Sequence, residues 1–234
     1  MINYNFKKPV FIVNPKSYLY GDDLLKLAKI SNGLAEKYDI DILFTGQLVD
    51  LPKIIENANH LIVTAQHMDH LTPGRGMGHV LPDALKNIGV KAVVLNHAEN
   101  PLTLSSLDKT IRRADELGLI TIVCADTVQQ CKAVAELEPN MIICEPTSLI
   151  GTGTTSESSY RKETTSAIKH VNSDILVLQA AGVSTGEDVR QVIREGADGT
   201  GGTSGIIKAP DWEAKLEEMV SSFIKERYAS NVNP

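Results

Sequence analysis

The chain has 234 residues, 42% of them hydrophobic and 22% charged, which suffices to bury a full core and is ordinary for a globular protein. A net charge of −6 argues against a general surface for nucleic acid or anionic membrane, but it leaves room for a local anion pocket. No apolar run reaches membrane-spanning length, Met1–Phe6 carries no signal-peptide pattern, and Cys124, Cys131 and Cys144 form no CxxC pair, so the expectation is a cytoplasmic protein with reduced core thiols and neither nucleic-acid nor membrane partners.

In chain order, one alternation dominates. Val10–Val13 is a short apolar run, and Asp22–Tyr38 has helical spacing at Leu24, Leu25, Leu27, Ala28, Leu34 and Ala35. Ile40–Phe44 reads as a strand, Val49–Asn57 as a short helix and Leu61–Ala65 as a strand. After a glycine-rich loop come helix Leu81–Ile88, strand Ala92–Leu95 and the charged amphipathic helix Leu104–Leu117. The theme repeats in strand Leu119–Cys124, helix Val128–Leu137, strand Met141–Cys144 and helix Ser158–His170. Strand Ile175–Leu178, helix Glu187–Glu195, a weak strand near Gly199–Thr203 and helix Asp211–Arg227, with Asp211 placed to cap it, complete the pattern. Tyr228–Pro234 reads as a frayed polar tail.

The strands are apolar throughout rather than alternating, as expected when helices cover both faces or the outside of a sheet. Eight strand-plus-helix units in one chain of this length predict parallel strands with right-handed crossovers, closed as a single-domain (β/α)8 barrel, an α/β fold of about 250 residues. An open doubly wound sheet is the competing reading. It calls for a glycine-rich turn after the first strand, where this chain has Asn14-Pro15-Lys16-Ser17-Tyr18.

In a barrel the functional face lies at the C-terminal ends of the strands. Strand 1 delivers Asn14 and Lys16 there, strand 4 delivers Asn96, His97 and Glu99, and strand 6 delivers Glu145. Strand 7 runs into Ala180-Ala181-Gly182 and strand 8 into Thr203-Ser204-Gly205. Each residue alone has a plain explanation: a surface lysine, a hydrogen-bonded structural histidine, a helix-capping glutamate, glycines that turn the chain. Their gathering on one face points instead to a site with an ammonium, an imidazole and a carboxylate. Nothing resembles a metal-ligand cluster, and no organic cofactor is called for.

These segments resemble the triosephosphate isomerase family, in its short archaeal-type branch. The resemblance rests on Asn14-Pro15-Lys16, on Ala65-Gln66-His67-Met68-Asp69 with Gly78-His79-Val80-Leu81-Pro82, and on Leu95-Asn96-His97-Ala98-Glu99-Asn100. It continues in family order through Glu145-Pro146, Leu149-Ile150-Gly151-Thr152-Gly153, Ala181-Gly182-Val183-Ser184-Thr185-Gly186 and Ser204-Gly205-Ile206-Ile207-Lys208-Ala209. It implies interconversion of dihydroxyacetone phosphate and glyceraldehyde 3-phosphate, with Glu145 as base, His97 as a neutral electrophile and proton shuttle, and Lys16 beside Asn14 stabilising the oxyanion. Phosphate would be held by backbone N–H groups of Gly151, Gly182, Thr203 and Ser204, and Glu99 would pair with a neighbouring cation. The segment after Glu145 would be a lid, with Pro146 stiffening its first hinge, Gly151 and Gly153 permitting the backbone change, and Leu149-Ile150 covering the site.

The chain departs from the family pattern in several places. Ala98 stands where the family has serine, Gln179 where archaeal-type sequences have cysteine, Ala180 where they have glycine, and Pro146-Thr147 replaces Pro-Pro. Most unusual is strand 8, where Thr200-Gly201-Gly202-Thr203 replaces an apolar run; glycine weakens a strand interior, so this should be the least rigid strand, with consequences for the phosphate end. Hence the alternatives of an isomerase for another phosphorylated aldose–ketose pair, such as a tetrulose phosphate, or a silent sugar-phosphate-binding barrel. The His67–His79 loop is long for a compact domain; in the family it inserts into a neighbouring subunit, which implies a homodimer or homotetramer.

Overall fold

Seven short, largely apolar runs and one glycine-rich segment become eight parallel strands that close on themselves in sequence order. The computed structural model describes residues 1–7 and 9–232, with side chains through Glu226. The strands are β1 (Val10–Val13), β2 (Ile42–Gly46), β3 (Leu61–Ala65), β4 (Ala92–Leu95), β5 (Ile120–Ala125), β6 (Met141–Cys144), β7 (Leu176–Gln179) and β8 (Gly199–Gly202). The helices outside them are α1 (Gly21–Tyr38), α2 (Leu51–Asn57), α3 (Pro82–Ile88), α4 (Leu104–Leu117), α5 (Val128–Ala135), α6 (Ser158–Val171), α7 (Gly186–Arg194), the short α8 (Ser204–Ile207) and α9 (Trp212–Val232). The open-sheet alternative is excluded, since β1 pairs with both β2 and β8.

Local chemistry fixes where the helices begin. Thr103 and Thr127 accept from the amides of Ser106 and Gln130, both at 3.2 Å. Thr185 and Asp188 form a reciprocal capping box on α7, and Asp211 accepts from Ala214 N at 3.0 Å at the start of α9. Along each strand, side chains alternate between two cores. Val10, Ile12, Leu43, Ile122, Ile143 and Leu178 belong to the cluster inside the barrel, whereas Phe11, Val13, Phe44, Val63, Ile142 and Val177 pack against the helices. Ile2 and Phe6 pack against the inner cluster.

The glycine-rich β8 has a steric cause. It pairs with β1 through all four residues, Val10↔Gly199 to Val13↔Gly202, and with β7 only at Leu178↔Gly199. Register with the inward-facing Val10 and Ile12 turns Gly199 and Gly201 toward the lumen. A Cβ on Gly201 would sit 1.9 Å from Ile12 O and 2.6 Å from Ile12 Cγ2, and one on Gly199 would sit 2.4 Å from Val10 O. The strand thus closes the barrel at a backbone distance that no side chain allows, and Ile12 and Leu178 fill the space. Thr200 points outward, buried, and donates to Gln179 O at 2.8 Å.

Two further points differ from the sequence reading. The tail expected to fray from Tyr228 is helical through Val232, because no glycine or proline interrupts the chain after Trp212 until Pro234; residues 233–234 lie outside the described residues. A 3-10 turn at Thr147–Leu149 and helix α8 were not anticipated, as neither is long enough to show periodicity. Among the described residues no helix is long and apolar enough to cross a membrane.

Candidate active site

The C-terminal rim of the barrel encloses a cavity of about 200 Å³. Eight residues that the resemblance assigns to the site line it, Asn14, Lys16, His97, Glu145, Gly151, Gly182, Thr203 and Ser204, whereas Asn96 borders a neighbouring cavity. Tyr18, Glu99, Ile150, Ala180, Val183 and Gly202 also border it, and Ile12, Val94, Cys124 and Ile143 line the cavity from the barrel side.

Lys16 leaves β1 in a left-handed conformation, φ +50, which is uncommon for a residue with a Cβ and persists only where neighbours enforce it. Here they do. Asn14 Oδ1 accepts from Lys16 N at 3.0 Å and is itself held by the Thr45 hydroxyl at 2.7 Å. Gln66 Nε2 donates to Lys16 O at 2.8 Å, and Gln47 Nε2 donates to the neighbouring Ser17 Oγ at 2.8 Å. The ammonium that results from this backbone clamp meets Glu99 Oε1 at 2.6 Å, matching the expected role of Glu99. That hydrogen bond holds the Glu99 carboxyl below its ordinary range.

Just past β4, Asn96 is also left-handed, at φ +57. Its amide donates to Cys124 O at 3.0 Å and its oxygen accepts from Leu102 N at 2.9 Å. This pins the turn carrying His97. Glu99 N donates to His97 Nδ1 at 3.1 Å, so Nδ1 is an acceptor and the proton of the neutral ring sits on Nε2. Burial, reinforced by the Lys16 ammonium, pushes the imidazole pKa down and favours that neutral form.

Glu145 directly follows β6, its N–H bonded to Ala125 O at 3.0 Å. Its Oε2 lies 3.7 Å from His97 Nε2, beyond direct hydrogen-bond reach. Burial raises the carboxyl pKa, Lys16 opposes the rise and Glu99 adds to it. Ala98 lines a second cavity that Glu145 also borders, and its methyl side chain offers the carboxylate no donor. Following Glu145, the chain makes the Thr147–Leu149 turn, passes through Gly151 and Gly153 in left-handed conformations, and runs exposed from Gly151 to Thr154.

The far end of the cavity is backbone. Gly182 has φ +70, and a Cβ there would lie 2.1 Å from Thr154 O, so glycine is needed both for its conformation and for the close approach of the Thr154 backbone. Thr203 and Ser204 open α8, where the first amides have no intrahelical partner. The cavity therefore combines a carboxylate of raised pKa, an imidazole N–H and an ammonium at one end with backbone suited to an anion at the other. Gln47 and Gln66, which grip Lys16, escaped the sequence reading as site residues; a polar residue just past β2 and just past β3 was the available signal.

A family model described as triosephosphate isomerase matches residues 9–221. Among curated relatives, the triosephosphate isomerase of Methanocaldococcus jannaschii is 38% identical over 216 residues, covering 90% of this chain and 98% of the relative. That of Methanothermus fervidus is 35% identical over 219 residues, covering 92% and 98%, and that of Sulfolobus acidocaldarius is 33% identical over 223 residues, covering 94% and 96%. With the fold, the rim residues and these full-length similarities in agreement, the chain belongs to the triosephosphate isomerase family.

Proposed function

We propose that the chain is a triosephosphate isomerase, interconverting dihydroxyacetone phosphate and D-glyceraldehyde 3-phosphate through an enediolate. Glu145 removes a proton from the hydroxymethyl carbon, and the C–H electron pair forms the new C=C bond as the carbonyl oxygen takes up negative charge. His97 Nε2–H and Lys16 stabilise that oxygen, and His97 moves the proton between the two enediolate oxygens. Glu145, now protonated, returns its proton to the adjacent carbon as the other oxygen becomes the aldehyde. Asn14 positions Lys16, and the backbone of Gly151, Gly182, Thr203 and Ser204 holds the phosphate.

The observation that carries this reading is the fixed tautomer of His97: an acceptor bond at Nδ1 leaves Nε2–H facing the cavity, 3.7 Å from the Glu145 carboxylate. A base beside a neutral hydrogen-bond donor is what enolisation requires and what a passive sugar-phosphate binder has no use for. The test is a coupled assay of the purified protein with both triose phosphates. Absence of turnover, with a tetrulose phosphate consumed instead, would reverse the substrate assignment.

We also infer a cytoplasmic homo-oligomer. The His67–His79 loop is knotted at its neck by Asp69, which accepts from Val80 N at 2.7 Å and faces His79 Nδ1 at 3.2 Å, and it presents a fully exposed Met77. A cavity of about 280 Å³ beside the Lys16–Glu99 pair, lined by Gln47, Gln66, His67 and Asn100, offers a receptor for the same loop of a neighbour. Light scattering should give a dimer or tetramer; a monomer would refute the insertion.

A further inference from the structure

A lid that moves must stop moving somewhere, and the sequence names only its first hinge, at Pro146. At the other end the change is abrupt. Residues from Gly151 to Thr154 are exposed, whereas Ser156 is only 4% exposed. Ser156 O accepts a hydrogen bond from Nη1 of Arg161, in the first turn of α6. Arg161 is itself only 4% exposed, an unusual place for a permanent charge unless it is paired. Its Nε donates to Glu195, the residue that ends α7. The same helical turn is held from two further sides. Gln179 Nε2 donates to Arg161 O at 3.2 Å, and the Tyr160 hydroxyl donates to Asp126 O.

We propose that Arg161, anchored by Glu195, fixes the second hinge of the lid at Ser156 and is a positioning residue for closure over the phosphate end of the site. One guanidinium holds both a backbone carbonyl at the base of the lid and a carboxylate on the neighbouring helix. Its planar fork can satisfy both at once, which a lysine ammonium at this depth cannot do with the same directionality. With Ser156 fixed, the backbone change of closing is confined to residues 147–155. Thr154 O is thereby held over Gly182, where a Cβ would lie 2.1 Å from it, so the lid's second limb returns to the same seat on each cycle. A loose hinge would leave the enediolate exposed. Cleavage of its C–O bond to phosphate would then compete with reprotonation, the phosphate leaving with the bonding pair.

This inference rests on the isomerase reading, and one set of measurements separates the two. Arg161→Lys and Glu195→Gln are compared with wild type for isomerisation, for release of inorganic phosphate per turnover, and for melting temperature. The expected result is that Arg161→Lys lowers kcat/KM about tenfold and raises phosphate release per turnover several-fold, with Glu195→Gln showing the same trend more weakly. A lower melting temperature with an unchanged phosphate share means that the pair only holds the fold, and overturns the hinge. Should Arg161→Lys not fold, amide exchange of the wild type with and without phosphoglycolate, a carboxylate analogue of the enediolate phosphate, decides the matter. Protection gained within 147–155 and not beyond supports the hinge; protection extending through 157–160 refutes it. Absence of triose phosphate turnover by the wild type removes the reading beneath both.

Discussion

Replacing Gly201 by alanine tests whether the glycines of β8 are a weakness or a requirement. The added Cβ would lie 1.9 Å from Ile12 O and 2.6 Å from Ile12 Cγ2, against an ordinary carbon contact of about 3.5 Å or more. Ile12 is an interior strand residue of β1, hydrogen-bonded to β8 through the length of the strand, so relief requires β1 and β8 to part. Overpacking of a well-packed core costs about 1–3 kcal/mol, and a backbone clash in a closed barrel belongs at the top of that range. For a chain of this size about 3 kcal/mol corresponds to a fall in melting temperature of roughly 6–12 °C. Gly33→Ala is the control: it lies within α1, exposed, with nothing within 4 Å of the new Cβ, and should stabilise by about 0.4–1 kcal/mol. Calorimetry of the two variants beside wild type gives the answer, along with KM for a triose phosphate, which should rise because β8 leads directly into Thr203 and Ser204. If Gly201→Ala melts within about 2 °C of wild type, the close approach of β1 and β8 is not a constraint and the steric account of the strand is wrong.

Glu145→Gln should lower kcat by at least about three orders of magnitude, a base contribution at the upper end of general catalysis, while inorganic phosphate still binds; turnover near wild type would remove Glu145 as the base. Lys16→Met removes the cation that lowers the Glu145 pKa and supports the neutral form of His97, so the acid limb of kcat/KM should move to higher pH as activity falls. An unmoved limb in a pH–rate profile would show that Glu145 is not the group titrating. Gly182→Ala should impair closure, since its φ of +70 and the 2.1 Å approach to Thr154 O leave no room for a methyl; the expected result is a rise in phosphate release per turnover with little change in far-ultraviolet dichroism. Arg161 holds the Glu195 carboxyl at about 2, below its ordinary 4.5. A depressed carboxyl stabilises the fold above the unfolded value and loses that contribution as pH falls, so acid unfolding of Glu195→Gln, followed between about pH 4.5 and 2, should be less steep than that of wild type.

The sequence revealed the barrel because all its strands but β8 are largely apolar runs, and such runs survive small errors of boundary. The boundaries did shift where local hydrogen bonds decide. Ile40 reads as strand, yet its N–H returns to Ala35 O to finish α1, with Asp39 at φ +50, and β2 begins only at Ile42. The proposed catalytic side chains were legible because acids, imidazoles and ammonium groups are costly to place at strand ends without a use. What supports them was not. The clamp on Lys16 draws Gln47 and Gln66 from two other strands, and Arg161 meets Glu195 thirty-four residues later in the chain. Such pairings depend on which loops the closed barrel brings together, and no periodicity encodes them. Gln179 shows the same limit: in the sequence it is only a departure from the family pattern, and the structure gives it a partner there, its Nε2 donating to Thr164 Oγ1 at 2.9 Å on α6.

Every thiol in the chain is buried, and only Cys124 borders the active-site cavity. Cys131 and Cys144 are fully buried and Cys124 is 5% exposed, and burial keeps Cys124 in its protonated form. The folded protein should therefore react only slowly with a maleimide, and a Cys124→Ser background removes the one thiol that borders the cavity. A single cysteine introduced at Thr152, on the exposed stretch of the lid, would be the one thiol that answers. Its labelling rate would then report how often the lid stands open, and saturation with a ligand that closes it should slow that rate while leaving the unfolded protein's reactivity unchanged.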